Sequence, residues 1–151
     1  MLVIRYDYGG KMSKIQWNSE LSVGVKQIDD QHKELIRIAN GLINAISLKR
    51  EERILGNVTR KLREYTVFHF ASEEQLMDDI RYPKRGEHAN EHIRLKKNVK
   101  DYQRIIYKHE DLTPETVLQF LKEWLLGHIL THDRELAQFI HEQEAEVKAE
   151  E

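Results

Sequence analysis

The chain has 151 residues, 40% of them apolar and 33% charged, which predicts one compact domain and excludes a disordered tail. It contains no cysteine, so disulfides, thiolate zinc sites, iron–sulfur clusters and a Cys nucleophile are all excluded. Lys+Arg 24 against Asp+Glu 26 leaves a net charge of −2, with nothing to draw the chain to nucleic acid or an anionic membrane.

From the N-terminus, residues 1–16 read as an extension, with Leu2 to Tyr8 left unassigned and Met12 an equal candidate for the start. Met1 to Lys11 lacks the long apolar core of a signal peptide, and no later apolar run is long enough to span a bilayer. These features predict a cytoplasmic protein. Trp17 to Gly24 reads as an extended or looped arm. From Ile28 onward, polar breaks at Ser47–Glu51, Arg81–Gly86 and Asp111–Pro114 cut the chain into four segments of helical length. Thr113 is a candidate N-cap, with Pro114 at the first helical position.

Apolar residues recur at alternating three- and four-residue steps in every segment, the spacing of a helix with one inward seam. The first seam is Ile28, Leu35, Ala39, Leu42 and Ile46. The second is Leu55, Val58, Leu62, Tyr65, Leu76 and Ile80. Leu95, Val99, Tyr102 and Ile106 make the third, and Val117, Leu121, Trp124, Leu136 and Phe139 the fourth. Short loops between four such helices predict an all-α, antiparallel up-down-up-down four-helix bundle with an N-terminal extended arm. The bundle is expected over residues 17–141. Residues 142–151 form an acidic tail, read as a fraying continuation of the last helix.

Each seam has gaps, and the gaps hold metal-ligand residue types: His32; His69 and Glu73; His88 and His92; His128. A lone core histidine is ordinarily bonded to a neighbour. Six such groups with no Lys or Arg on the seams would cost several kcal/mol apiece if unsatisfied, and a metal removes that cost. The pairs His69/Glu73 and His88/His92 are spaced i,i+4, about 40° apart on a helix, so each pair converges. Six ligands exceed one structural zinc and point to a dinuclear centre. The ferritin-like di-iron class needs an inward Glu-x-x-His on two helices. No Glu stands three residues before any His here.

These motifs resemble the hemerythrin family: Trp17 followed by Gly24, Ile28-Asp29-Asp30-Gln31-His32, His69-Phe70-Ala71-Ser72-Glu73-Glu74, His88-Ala89-Asn90-Glu91-His92, and His128-Ile129-Leu130-Thr131-His132-Asp133. The resemblance runs from about Trp17 to His141. It implies two non-haem Fe ions per chain, oxo- or hydroxo-bridged, with O2 as ligand. His88, His92 and His128 would hold one iron and His32 and His69 the other, with Glu73 and Asp133 bridging. Spacing alone favours His132, at i+4 from His128, because Asp133 at i+5 lies about 140° round an ideal helix. The resemblance selects Asp133, and a carboxylate has two oxygens with which to span two metals. It also implies that Leu35, Trp124 and Leu125 wall an O2 pocket.

The remaining polar residues read blandly. Glu74 is expected to face solvent, His109 and His141 to lie at the surface, and Asp29 either to back His32 or to cap the first helix. The expected function is reversible O2 binding for carriage, storage or delivery, with no enzymatic activity. An O2, NO or redox sensing module and a di-iron oxidase or peroxidase are the alternatives. The expected partners are O2 itself and a downstream oxygen-consuming enzyme as recipient, with no nucleic acid, no membrane insertion, and a monomer or weak oligomer.

Overall fold

The computed structural model describes residues 14–108 and 114–151. The readings at Leu2 to Tyr8, His109 and Thr113 lie outside the described residues. Three long helices, α1 (Lys26–Ser47), α2 (Glu52–Asp79) and α3 (Arg85–Tyr107), follow a short 3₁₀ turn at Ser19–Leu21. The fourth rod of the bundle is continuous but not uniform. It starts as α4 (Pro114–Leu121), passes through π-helical stretches at Lys122–Leu126 and Ile129–Asp133, and ends as α5 (Arg134–Glu150). Gly127 and His128 between the two π stretches keep right-handed helical backbone angles. None of the described residues is in a strand. No helix among them is long and apolar enough to cross a membrane.

The helices stop where the sequence breaks. α1 and α2 both end in a paired capping pattern: Arg50 N–H bonds Ala45 O while Lys49 N–H bonds Ile46 O, and Tyr82 N–H bonds Met77 O while Arg81 N–H bonds Asp78 O. Each pattern needs one left-handed residue, and here these are Lys49 (φ 50°) and Arg81 (φ 53°), where glycine is usual.

The inward seams of α1, α3 and the fourth rod follow the predicted spacing, with Ile28, Leu35, Ala39, Leu42, Leu95, Val99, Ile106, Val117, Leu121, Trp124 and Leu136 all buried. On α2 the predicted Leu62, His69 and Glu73 are buried, but the buried face is wider than the apolar spacing predicts. Val58, Tyr65, Leu76 and Ile80 are only partly buried, while Thr59, Thr66, Phe70 and Met77 are buried. The two threonines can sit inside because each hydroxyl donates to the carbonyl four residues back, Thr59 to Leu55 O at 2.7 Å and Thr66 to Leu62 O at 2.7 Å.

The arm is part of the core, and it begins earlier than Trp17. Ile15 is buried, and the Asn40 amide clamps its backbone from both sides, accepting from Ile15 N–H at 2.8 Å and donating to Ile15 O at 2.9 Å. Asp29 neither backs His32 nor caps α1. Its carboxylate accepts from Ser22 Oγ (2.5 Å) and Val23 N–H (2.9 Å), tying the arm to the first turn of α1. His141 is exposed, as expected for a surface residue, yet its Nε2 lies 3.2 Å from Val23 O. At the other end, residues 142–150 remain helical and exposed.

Gly24 is where the arm turns into α1, at φ 74°, and a Cβ there would lie 2.8 Å from His141 Nε2. Gly24→Ala should therefore lower stability by about 1–2 kcal/mol for the backbone alone, with the ring contact adding to it. Lys49→Gly should raise stability by about 1 kcal/mol by the same reasoning. Thermal melts of both variants check the two signs.

Candidate metal centre

The seams bring seven side chains from all four rods to one point in the core. His32 comes from α1, His69 and Glu73 from α2, His88 and His92 from α3, and His128 and Asp133 from the fourth rod; all seven are buried. They form two overlapping donor sets. Glu73, His88, His92, His128 and Asp133 make one, and His32, His69, Glu73 and Asp133 the other, with the donor atoms of each set within 4.8 Å of one another. Glu73 and Asp133 belong to both, so the two carboxylates sit where bridges would sit.

The fourth rod explains how Asp133 joins the cluster. In an α-helix the residue five after His128 points away, but Ile129–Asp133 is π-helical. With i→i+5 bonding, five residues complete a little over one turn, so His128 and Asp133 share a face. Asp133 Oδ1 lies 3.0 Å from His128 Nε2 and 3.1 Å from His88 Nε2, and its Oδ2 lies 2.7 Å from His32 Nε2. His132 is half-buried and belongs to neither donor set; its ring stacks against His128 from outside at 5.6 Å.

The donor atoms are close without being satisfied. His32 Nε2, His69 Nε2, His88 Nε2, Glu73 Oε1 and both Asp133 oxygens are buried with no hydrogen-bond partner, although neighbours stand at hydrogen-bonding distance. The distances suit hydrogen bonds and the directions do not, as expected when donors aim at a shared point between them. His92 Nε2 and His128 Nε2 approach to 3.2 Å. Two nitrogens about 2.1 Å from one cation and at right angles to each other would be roughly 3.0 Å apart. Each unsatisfied buried group costs about 1–3 kcal/mol. The five side chains that carry these atoms together rival the roughly 5–15 kcal/mol that holds a domain folded. The donor set therefore fits cations.

The electrostatics agree. Burial pushes Glu73 upward, but the imidazoles of His69, His128 and His88 outweigh it and hold the carboxylate well below its usual range. Burial and the Glu73 charge push Asp133 upward, and His128 and His32 overcome both to hold it low. Burial pulls His128 down, yet the Asp133 carboxylate beside it raises the ring to about 10. Burial also pulls His88 down, and the Asp133 and Glu73 carboxylates outweigh it to raise the ring.

Beside His32 and His69 lies a small cavity of about 10 Å³, lined by His32, His69 and His128 with Leu35, Phe70, Leu95, Trp124, Leu125 and Ile129. The three predicted pocket residues Leu35, Trp124 and Leu125 all border it. Phe70, which apolar spacing on α2 misses, lines it too and stacks on His92 with ring centroids 3.9 Å apart. Glu74 differs from the expectation of a solvated charge. Its side chain is 26% exposed and its Oε1 lies 3.0 Å from His92 Nδ1. Helical spacing carries no signal for this contact, because Glu74 and His92 lie 18 positions apart on different helices.

Comparison with known proteins agrees with this geometry. The family model for the Hemerythrin HHE cation binding domain matches residues 23–140. The chain belongs to the hemerythrin family. It is similar to the bacteriohemerythrin of Stenotrophomonas maltophilia, 31% identical over 126 residues, covering 83% of this chain and 81% of that one. It is also similar to the bacteriohemerythrin of Clostridium acetobutylicum, 32% identical over 79% of this chain and 95% of that one. The crystal structure of a hemerythrin leucine-to-tyrosine mutant superimposes with a TM-score of 0.73 at 27% identity, covering 82% of this chain and 94% of that one.

Two predictions follow from the site. Asp133→Ala should lose most bound metal whereas His132→Ala should keep it, and metal analysis of the two purified variants reads the difference. The pH dependence should reverse on loading. In the metal-free protein, the raised His128 contributes stability that is full below the ordinary histidine value of about 6.5 and is lost as pH rises through about 10. The lowered carboxylates contribute stability present above about 4 and lost as acid protonates them. Metal-free protein should thus melt highest in mildly acidic solution. Metal-loaded protein should gain from pH 5.5 to pH 8, because a cation must displace the His128 proton. Melting curves of both forms at these two pH values check the crossover.

Proposed function

We propose that this hemerythrin binds O2 reversibly at two non-haem irons held by His32, His69, Glu73, His88, His92, His128 and Asp133, and serves to carry, store or deliver oxygen. When bound, iron supplies the reversible redox change that lets O2 be held and released.

The observation that carries this reading is the cavity against His32 and His69. Both histidines of the four-donor set line it, whereas His128 is the one histidine of the five-donor set that reaches it. Its volume of about 10 Å³ matches roughly one water molecule, so it suits a diatomic guest and has no room for an organic substrate. Apart from the ligand-type histidines its walls are apolar, and they offer no acid or base to move a proton on a substrate. Leu35, Leu95 and Leu125 exclude water and anions from the open side. Trp124 is fixed by its indole N–H, which donates to Leu95 O at 3.1 Å. These features support a carrier over an oxidase or peroxidase. The similarity to bacteriohemerythrins supports the same reading.

The test is the visible spectrum of anaerobically reduced, iron-loaded protein. Air should produce a new band that disappears when oxygen is removed by argon, over repeated cycles. Leu125→Asn should retain its iron but oxidise irreversibly several-fold faster, because the polar side chain brings water into the cavity. A single irreversible spectral change in the parent protein contradicts the proposal.

A further inference from the structure

Two polar side chains touch the outer nitrogens of the donor histidines, and they differ in charge. His69 Nδ1 lies 2.6 Å from Gln31 Oε1. His92 Nδ1 lies 3.0 Å from Glu74 Oε1. Both contacts fix which ring nitrogen carries the proton. Gln31 Nε2 donates to Ser72 Oγ at 3.0 Å, which leaves Oε1 facing His69 as an acceptor. Gln27 Nε2 donates to the same hydroxyl at 3.0 Å and steadies it from the surface. A carboxylate such as Glu74 can only accept. In each case Nδ1 is therefore the donor and Nε2 turns its lone pair into the centre. His32 and His128, by contrast, have buried Nδ1 atoms with no partner.

The charges fall on opposite donor sets. The carboxylate backs His92, a member of the five-donor set, and the neutral amide backs His69, a member of the four-donor set beside the cavity. A carboxylate on the outer nitrogen makes an imidazole a stronger donor, and loss of such a partner typically costs about 10–100-fold in metal affinity. A neutral amide orients the ring without that gain.

We propose that Glu74 and Gln31 are positioning residues of unlike charge that make the two cation positions unequal, Glu74 strengthening the five-donor position and Gln31 holding the cavity-side position neutral and weaker. The proposal rests on the reading of the cluster as a dinuclear metal centre. Its consequence is that the five-donor position fills first and holds its cation hardest. The position beside the cavity keeps spare capacity for a further ligand.

The test is anaerobic titration of the metal-free full-length chain with Co(II) against a competing chelator, with iron left out so that redox chemistry plays no part. The parent should take up two ions in two resolved steps. Glu74→Gln keeps an acceptor on His92 Nδ1 but removes the charge, and should weaken the tighter step about tenfold. Glu74→Ala removes both and should weaken that step by up to about 100-fold. Gln31→Glu should tighten the weaker step about tenfold, because Ser72 can turn its hydroxyl to donate to the new carboxylate. General structural damage cannot produce that gain. Parental affinity of the tighter step in Glu74→Gln, or no tightening in Gln31→Glu, overturns the proposal while leaving two ions in the parent. Fewer than two Co(II) ions in the parent overturns the dinuclear reading and this proposal with it.

Discussion

The rest of the structure depends on two carboxylates buried among five imidazoles. Glu73 and Asp133 are almost fully removed from water, and Glu73 Oε1 and both Asp133 oxygens have close neighbours but no hydrogen-bond partner. A core assembled only for packing would place leucines at these seven positions. The polar cluster is tolerable because its donors converge, so that a cation can satisfy several at once. This constraint selects a four-helix bundle, in which every rod can present one ligand per turn to a common axis. It also accounts for the tight packing of Phe70, Leu95 and Trp124, which keep the cluster dry and so keep each electrostatic interaction strong.

The site is asymmetric at every level. One donor set has three histidines and the other two, with the carboxylates shared between them. The apolar cavity is lined by both histidines of the poorer set and by one of the richer, His128. The outer-nitrogen partners repeat the difference, charged on one side and neutral on the other. Together these features make the two donor sets unequal in donor number, in contact with the cavity and in the charge behind their histidines. The arm supports this arrangement from outside: Asp29 and His141 tie residues 22–23 to the first turn of α1 and the middle of α5, and Arg134, the residue after Asp133, donates to Glu20 O at 2.5 Å.

Much of this was legible in the sequence, and the exceptions have physical reasons. Helix number, the loops after Ser47 and near Pro83, and the seams of α1 and α3 follow from apolar spacing, because those helices bury ordinary aliphatic residues. The gaps at 32, 69, 73, 88, 92 and 128 stand out for the same reason. Asp133 was accessible only through family resemblance. Ideal α geometry points it away, and nothing in Ile129-Leu130-Thr131 announces a π turn. The α2 seam is legible at Leu62, His69 and Glu73 but not at buried Thr59 and Thr66, which satisfy themselves on their own helix and so look polar. Glu74 and Gln31 could not be assigned, since their roles depend on contacts with other helices. Ile15 and Asp29 show the same limit, their partners lying 25 and six or seven residues away.

The central claim is that the converging donors in the core hold a pair of irons. The most direct measurement is elemental analysis of the parent protein purified from iron-replete cells, with metal counted per chain. The account predicts two irons and negligible zinc. One zinc per chain with no iron would contradict it.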